Sequence, residues 1–362
     1  MTNLFSTYQL GPYVLKNRIV MAPLTRCRAD AVTRVPTPMM TTYYEQRASA
    51  GLIITEATVI AAQGVGYPAT PGIYSAEQIS AWKNITEAVH KKDGRIFLQL
   101  WHCGRVSHSS FLGGALPVSS SAVAIPGQLY TPVGMQAYET PRALDISEIP
   151  GIVALYEQAA RNAMQAGFDG VEIHGANGYL IDQFLRDGVN HRTDAYGGTI
   201  ENRARLLLEV VEAVVRVWGK GRVGLRLSPS TAFNGMNDSD PVNHFAWVAD
   251  KLSSQGLAYL HCTEGDDSDR RRGNVIVDLS VIRDRYKGTF MVCNEYDQAK
   301  AETAVANNKA DLVAFGKLFI ANPDLPERFR SKHPLNVWDA DTFYTPGEKG
   351  YTDYPQTLTV LK

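Results

Sequence analysis

The segment Gly167-Phe-Asp-Gly-Val-Glu-Ile-His-Gly-Ala-Asn-Gly-Tyr-Leu180 gives the strongest indication of the fold. Its run Gly170–His174 is one of several short strand candidates in the chain, most of which show little alternation between apolar and polar residues, which is typical of strands buried on both faces of a parallel sheet. A helix is predicted before it, from an N-cap at Ser147 through Met164 to a stop at Gly167. Polar residues follow the run directly. The segment therefore predicts a helix–strand unit with functional side chains at its carboxyl end.

The same pattern recurs along the chain. Eight short apolar runs alternate with longer segments whose apolar residues lie at helical spacing, as in Glu201–Val217. Ser75 and Gln78 form a capping-box pattern at the start of another helix, which runs toward His90. This alternation favours one closed (β/α)8 barrel over two dinucleotide-binding halves. The predicted strands are Arg18–Thr25, Gly51–Thr58, Arg95–Trp101, Gly170–His174, Val223–Ser228, Tyr259–Thr263, Phe290–Asn294 and Leu312–Gly316.

Length and composition limit the function. The chain has 362 residues, and we expect residues 1–362 to form a single barrel domain. Lys plus Arg is 36 and Asp plus Glu is 37, so the net charge of −1 provides no field for binding nucleic acid or a membrane surface. Four dispersed cysteines suit a reducing compartment, and no leader or membrane-spanning run is recognisable. We expect a cytoplasmic monomer or homodimer that acts on a small-molecule substrate.

Two segments do not fit the repeat. Arg105–Leu144 is rich in Ser, Pro and Gly, and Pro334–Lys362 is an aromatic tail that also contains Gly and Pro. Long segments of this kind are usually functional loops or lids in a compact domain. Between the last strands and this tail, shorter helices are predicted over Asp297–Asn307 and Pro323–Phe329.

Polar side chains come at the carboxyl ends of the predicted strands, where barrels of this type carry their chemistry. Each residue alone is explained more simply as a structural group. The set as a whole predicts one concave polar site. Its members include Thr25, Glu56, Gln99, His174, Arg226, Asn294 and Lys317.

Gln99 and Arg226 are the most informative pair in this set. A guanidinium inside an apolar barrel strand costs several kcal/mol unless an anion or a strong acceptor lies beside it. A flat heterocycle with carbonyl oxygens and ring nitrogens would satisfy both side chains. The alternative is an internal ion pair of Arg226 with Glu56 or Glu172.

His174, Asn177 and Tyr179 form a second group, within six residues of one strand end. An imidazole N–H and an amide NH2 together can hold a carbonyl or nitro oxygen and stabilise charge that develops on it. A well-placed tyrosine hydroxyl can act as a general acid. The alternative is a structural histidine that caps the turn at Gly175 and Gly178.

Phosphate sites of barrels usually lie after the seventh and eighth strands, where Asn294, Gly316 and Lys317 offer backbone N–H groups and one cation. No GxGxxG loop follows a strand, so a nicotinamide is not held in a Rossmann pocket. His102 and His108 have no carboxylates or thiolates at matching spacing, so we expect no metal.

A set of motifs resembles the old yellow enzyme family of flavoproteins, in particular its bacterial ene-reductases and plant oxophytodienoate-reductase-like members. The resemblance covers nearly the whole chain. It implies a (β/α)8 barrel with noncovalent FMN over the strand ends, where NAD(P)H reduces the flavin and the flavin reduces an activated C=C bond. The motifs are Met21-Ala-Pro-Leu-Thr-Arg26, Gly66-Tyr-Pro-Ala-Thr-Pro-Gly72, Gln99-Leu-Trp-His102, the segment 167–180, Gly197-Gly-Thr-Ile-Glu-Asn-Arg203, Ala321-Asn-Pro-Asp-Leu-Pro326 and Gly350-Tyr-Thr-Asp-Tyr-Pro355.

The resemblance also implies roles for residues at the cofactor. Pro23 and Ala57 would line the flavin through main-chain groups, and the Thr25 hydroxyl would lie beside the flavin O4. Gln99 would bond to the pyrimidine edge. Arg226 would face N1 and O2, which agrees with the need for an acceptor beside a buried guanidinium.

At the substrate, the resemblance implies that His174 and Asn177 hold the carbonyl or nitro oxygen. Tyr179 would deliver a proton to the α-carbon after hydride leaves the flavin N5 for the β-carbon. The apolar walls of the substrate slot would be Tyr67, Trp101 and Tyr351.

Two positions differ from many family members. Lys317 stands where many carry arginine, and it loses the bidentate fork on phosphate while keeping the charge. Asn294, followed by Glu295, stands where many carry glycine. These differences bear on the affinity for FMN and not on its identity.

The residues leave other functions open. Reductases of nitroesters, nitroaromatics or quinones would use the same site. A flavin-free lyase or isomerase would use Arg226 and Lys317 to hold a sugar phosphate. A barrel that binds flavin without turnover is a third possibility, against which the intact Tyr179 argues.

Overall fold

Eight parallel strands close into a barrel in the computed structural model, which describes residues 3–357. The eighth strand pairs with the first, where Val313 lies opposite Ile19. The third and fourth pair with Gly170 opposite Phe97. The predicted barrel is confirmed, and every strand lies where the sequence places it. The strands are β1 (Ile19–Met21), β2 (Leu52–Ile54), β3 (Ile96–Trp101), β4 (Gly170–His174), β5 (Val223–Leu227), β6 (Tyr259–Thr263), β7 (Phe290–Cys293) and β8 (Leu312–Phe315).

A helix follows each strand and covers the outside of the barrel. The helices are α1 (Pro38–Gln46), α2 (Ala76–Lys91), α3 (Ile149–Gln165), α4 (Arg205–Trp218), α5 (Pro241–Leu252), α6 (Leu279–Arg285), α7 (Gln298–Ala306) and α8 (Leu325–Ser331). The predicted capping box opens α2, where the Gln78 backbone N–H donates to the Ser75 hydroxyl at 3.2 Å. The apolar residues of α4 form one buried face, and this helix packs against α3.

Some details of the predicted helices are wrong. Ser147 does not cap α3, because it lies inside a 3-10 turn, Ile146–Glu148. The Asp145 backbone N–H closes that turn by donating to the Glu148 carboxylate at 2.8 Å. The single helix predicted over 201–217 is two helices, Ile200–Arg203 and α4. Helices α1, α5 and α6 have no counterpart among the predicted ones.

An N-terminal hairpin closes the amino end of the barrel. Tyr8–Leu10 pairs antiparallel with Tyr13–Leu15. Leu10 and Leu15 are buried among inward-facing residues of the strands, such as Val20 and Phe97. Because this end is filled with apolar side chains, access to the interior is left to the carboxyl ends of the strands.

The long segment between β3 and α3 lies at the carboxyl end and contains two short pairings. Val118–Ser119 pairs in parallel with Arg142–Ala143, and Gln128–Thr131 forms a hairpin with Gly134–Ala137. Within residues 3–357, no helix is both long and apolar enough to cross a membrane. The remaining short elements are Thr58–Val59, Ala62–Gly64, Ser109–Phe111, Leu180–Leu185, Phe233–Gly235, Asp267–Arg271, Lys317–Ala321 and Ala340–Thr342.

Candidate active site

Two adjoining cavities lie at the carboxyl ends of the strands. The inner cavity has a volume of about 500 Å³ and is lined by strand-end residues such as Arg226 and Cys293. The outer cavity has a volume of about 700 Å³, and its lining includes several aromatic side chains, such as Tyr67, Tyr179 and Tyr344. Pro23 and Lys317 line both cavities. Volumes of this size are typical of small-molecule sites.

Arg226 brings a buried positive charge to the inner cavity. The residue is 9% exposed. Its Nη2 contacts the Cys293 Sγ at 3.5 Å, whereas Nε and Nη1 are buried without a hydrogen-bond partner among the described residues. Buried donors of native proteins almost always have partners. The guanidinium therefore fits an acceptor that enters the cavity from outside the chain.

The carboxylates of the alternative internal ion pair have other partners. Glu56 accepts a hydrogen bond from the Tyr44 hydroxyl at 3.2 Å. Glu172 is bonded to Gln99 and to His261. The structure thus does not support an Arg226 that is neutralised by Glu56 or Glu172.

Strand register brings the buried polar residues side by side. Glu172 on β4 lies opposite Gln99 on β3, and the Gln99 Nε2 donates to the Glu172 carboxylate at 2.7 Å. The other carboxylate oxygen lies 2.9 Å from the His261 Nδ1. Because its NH2 group is used by Glu172, Gln99 keeps its carbonyl oxygen as the acceptor for another group.

Glu172 and His261 form a buried hydrogen-bonded pair. Burial alone would raise the pKa of Glu172, but His261 and then Arg226 hold that pKa below its ordinary value. Burial opposes protonation of His261, and Glu172 nevertheless raises the pKa of this imidazole above its ordinary value. His261, Arg226 and Gln99 thus keep the Glu172 carboxylate ionised in the barrel interior.

His174 is a neutral hydrogen-bond donor. Its Nδ1 accepts from the Ala176 backbone N–H at 3.3 Å, so the ring proton is on Nε2. Burial lowers the pKa of His174 well below its ordinary value, and Arg226 and His261 lower it further. The histidine caps the turn after β4 with one nitrogen, as the structural alternative requires, and still has one donor for a ligand.

Asn177 lies in the turn that follows His174 with a left-handed φ of 58°. Its backbone N–H donates to the Ser228 hydroxyl at 2.7 Å, and its carbonyl accepts from Asn234 at 2.9 Å. Its side-chain amide has no hydrogen-bond partner within residues 3–357. Both main-chain bonds hold the turn and leave that amide available.

An aromatic cluster surrounds Tyr179. The Tyr179 hydroxyl donates to the Tyr67 hydroxyl at 3.2 Å, and its ring stands edge-on to Trp101 with centroids 4.9 Å apart. The His174 ring lies 5.0 Å from the same tyrosine ring. Burial, followed by the proximity of Tyr67, raises the pKa of Tyr179 well above its ordinary value. The phenol is therefore fully protonated at neutral pH.

Three predicted cofactor residues lie where β1 and β2 end. Pro23 and Thr25 line the outer cavity. Ala57 is 5% exposed and packs in the cluster that contains Trp101 and Tyr179. Pro23 also lines the inner cavity with Arg226, whereas Ala57 lines neither of the two cavities.

The predicted phosphate residues come together at the inner cavity. Asn294, Gly316 and Lys317 all line it. Asn294 has a φ of 93° and donates through Nδ2 to the Glu264 carbonyl at 2.9 Å. Glu295 lines the same cavity with a φ of 52°. Two non-glycine residues thus adopt left-handed backbone here, and Glu295 is an acidic residue of the cavity that Lys317 also lines.

The prediction that Tyr351 lines the substrate slot is wrong. Tyr351 has no exposed surface, and its ring stacks on Tyr43 with centroids 4.0 Å apart. It belongs to the core that anchors the C-terminal segment. The tail instead contributes Phe343 and Tyr344 to the outer cavity and Trp338 to the inner one.

Other cavity residues have no counterpart in the predicted site. Composition marked both the aromatic tail and the 105–144 segment as functional loops, but no local pattern distinguished which of their aromatic residues reach the site. Among the described residues, no group of three His, Cys, Asp or Glu side chains is placed to hold a metal ion. The unpredicted cavity residues include Leu129, Tyr130, Tyr138, Phe233, Cys293, Trp338, Phe343 and Tyr344.

Residues 3–336 match the NADH:flavin oxidoreductase / NADH oxidase family. The chain belongs to this family. It is 46% identical to 12-oxophytodienoate reductase 7 of Oryza sativa subsp. japonica, over 97% of this chain and 94% of that protein. It is 44% identical to 12-oxophytodienoate reductase 2 of Arabidopsis thaliana, over 97% and 95%.

Solved structures of old yellow enzymes have the same fold. The old yellow enzyme homologue from Zymomonas mobilis is 46% identical and superposes with a TM-score of 0.94 over 98% of this chain and 99% of that one. Morphinone reductase in complex with tetrahydroNAD is 47% identical, with a TM-score of 0.93 over 100% and 99%. The chain is an old yellow enzyme that uses FMN and a nicotinamide cosubstrate. The flavin-free lyase and the barrel without turnover are thereby excluded.

Proposed function

We propose that this old yellow enzyme reduces the activated C=C bond of α,β-unsaturated carbonyl compounds, maleimides or nitroalkenes with electrons from NAD(P)H, by a ping-pong mechanism. The observation that carries the proposal is the donor pair at one strand end, a neutral His174 beside Asn177, with the protonated Tyr179 next to it. Two neutral donors suit an uncharged carbonyl or nitro oxygen, and an adjacent acid suits a carbon that needs a proton.

The residues at the inner end of the mouth would hold the cofactor. Arg226 would donate to the electron-rich edge of the ring system, and the Gln99 carbonyl would accept a hydrogen bond from the ring. Pro23, Thr25 and Ala57 would line the ring, and Asn294, Gly316 and Lys317 would hold the phosphate end. When bound, FMN would supply the hydride that reduces the C=C bond of the substrate.

The residues at the outer end bind and protonate the substrate. His174 Nε2 and the Asn177 amide donate to its oxygen, which orients the double bond and stabilises the charge that develops on that oxygen. Tyr179 gives its proton to the α-carbon. Tyr67 and Trp101 enclose the site with apolar surface and keep water from competing for that proton.

An anaerobic titration followed by visible spectroscopy tests the proposal. The purified protein should be yellow, lose its long-wave absorbance when NADH or NADPH is added, and regain it when 2-cyclohexen-1-one or N-ethylmaleimide follows. Mass spectrometry should find the saturated product. Recovery of colour with oxygen but with none of these alkenes would contradict the proposal.

The binding of a phenol tests the oxygen clamp. We expect His174→Ala to weaken phenolate binding about 10- to 100-fold, because a hydrogen bond to a charged oxygen is worth about 1.5–3 kcal/mol. The measurement is the charge-transfer band of the phenol complex. Since the pKa of His174 lies well below its ordinary value, protonation of this ring should not change binding between about pH 6 and 8. If His174→Ala bound the phenol with unchanged affinity, His174 would not be part of the oxygen clamp.

Nitro compounds are a second candidate substrate class, because the same two donors can hold a nitro oxygen. Nitroesters, nitroaromatics and quinones can be compared with enones in the same assay. A nitroester, nitroaromatic or quinone with a kcat/KM above that of every enone and nitroalkene would assign the chain to that class instead.

We also propose a cytoplasmic location and a monomeric or homodimeric state. The location is supported by Cys27, Cys103, Cys262 and Cys293, which are all free thiols, as is usual in a reducing compartment.

A further inference from the structure

Segment 338–351 forms walls of both cavities, although it has almost no regular structure. Trp338 lines the inner cavity, and Phe343 and Tyr344 line the outer one. The 3-10 turn Ala340–Thr342 is the single regular element between residues 338 and 351. Most residues of the segment are exposed, including Tyr344 at 66%. Burial of apolar surface therefore contributes little to holding these walls in place.

Two buried arginines anchor the segment through its carbonyl groups. Arg26 and Arg28 come from the loop after β1 and are 0% and 5% exposed. Arg26 donates to the Phe343 carbonyl at 3.0 Å and to the Gly350 carbonyl at 2.7 Å. The carbonyls that Arg28 bonds are those of Thr342 at 3.0 Å, Phe343 at 3.1 Å, Gly347 at 3.0 Å and Lys349 at 3.2 Å.

Tyr351 fixes the C-terminal end of segment 338–351. Its ring stacks on that of Tyr43, with centroids 4.0 Å apart, and also contacts the two guanidinium groups. The guanidinium carbon of Arg28 is 4.4 Å from the Tyr351 centroid, and that of Arg26 is 5.1 Å away. Stacking and cation–π contacts thus fix the segment at its carboxyl end, where it returns to the core.

We propose that Arg26 and Arg28 are positioning residues that set the dimensions of the substrate cavity by holding segment 338–351, and so determine how large a substrate is accepted. The effect on substrates rests on the proposed function. The loop that holds the segment is also the loop that carries Pro23 and Thr25. The loop after β1 therefore forms one wall of the mouth and also holds the wall that segment 338–351 forms.

Arg28→Lys is the most direct test of this anchoring role. Lysine keeps the positive charge but presents one compact head group in place of a planar fork, so it cannot bond Gly347, Phe343 and Thr342 at once. In the FMN-loaded enzyme, we expect backbone hydrogen exchange of residues 338–351 to become at least about tenfold faster, because local opening costs less free energy. Exchange in the barrel strands should not change.

The effect on catalysis should depend on substrate size. For a bicyclic enone that reaches Phe343 and Tyr344, we expect Arg28→Lys to raise KM about 5- to 10-fold, the size of one lost apolar contact. For 2-cyclohexen-1-one, which is too small to reach both, KM should change less than about twofold. Tyr344→Ala alters the exposed wall directly and should reproduce the KM pattern without faster exchange.

Arg203→Lys is the matched control. Arg203 is also buried, and it donates to the Leu185 and Gly198 carbonyls at 2.7 Å, away from both cavities. The Arg203→Lys variant should have a lower melting temperature but an unchanged KM for either enone. Unchanged exchange of 338–351 in Arg28→Lys overturns the anchoring role, and faster exchange with an equal KM change for both enones overturns the size selection. Faster exchange in an enzyme that reduces neither enone supports the anchor and counts against the proposed function alone.

Discussion

Arg226→Leu should weaken FMN binding at least about 100-fold. The guanidinium offers two buried donors that have no partner among residues 3–357, and a hydrogen bond from a charged donor is worth about 1.5–3 kcal/mol. Loss of both bonds also leaves the cavity without its buried cation. The dissociation constant is measured by quenching of flavin fluorescence or by ultrafiltration of the reconstituted enzyme.

Arg222→Leu is the control for this result. Arg222 lies immediately before β5, at the opposite end of the same strand, with its guanidinium 5.8 Å from the Tyr13 ring centroid. Its replacement removes an equal charge from the same strand, but FMN should bind as before. A dissociation constant of Arg226→Leu within about threefold of the parent value would show that the guanidinium does not hold the cofactor.

Tyr179→Phe should slow the reoxidation of the reduced enzyme by 2-cyclohexen-1-one about 10²- to 10⁴-fold, the usual contribution of a general acid. Phenylalanine keeps the edge-on packing against Trp101 and removes the proton that the α-carbon requires. Reduction by NAD(P)H needs no such proton and should change less than about threefold. Anaerobic stopped-flow spectroscopy measures the two half-reactions separately.

Tyr67→Phe distinguishes the role of the Tyr179 hydroxyl from that of its hydrogen-bond partner, the Tyr67 hydroxyl. The Tyr67 hydroxyl accepts from Tyr179 at 3.2 Å but is assigned no proton transfer, so its loss should cost much less than the loss of the Tyr179 hydroxyl. Because burial raises the pKa of Tyr179, the acid stays protonated, and the alkene half-reaction should not decline with rising pH up to about pH 10. Equal slowing of both half-reactions in Tyr179→Phe would contradict the role of proton donor.

The barrel could be predicted because its signals are local. A strand buried on both faces is apolar at nearly every position, as in Leu312–Gly316, which is bounded by the polar residues Asp311 and Lys317. Polar residues at strand ends were recognisable for the same reason, since parallel closure brings every carboxyl end to one mouth. Arg226, Gln99 and the group around His174 were predicted as site residues in this way.

Contacts between distant segments could not be predicted. Whether Arg226 pairs with Glu172 or remains available depends on the register of β3, β4, β5 and β6, which gives Glu172 to Gln99 and His261. The position of Tyr351 depends on Tyr43, more than 300 residues earlier in the chain. No spacing within the tail distinguishes a core tyrosine from one that lines a cavity.

The amino-acid sequence alone established the barrel, the mouth where its chemistry lies and the chemical groups available there. Apolar periodicity and polar residues at strand ends are local patterns that can be recognised within a few consecutive residues. Closure of the barrel and docking of the tail decided which donors stay unpaired and which aromatic rings line the cavity. Those outcomes depend on side chains that meet across the fold, and hydrogen bonding and packing between them are properties of three-dimensional distance rather than of position along the chain.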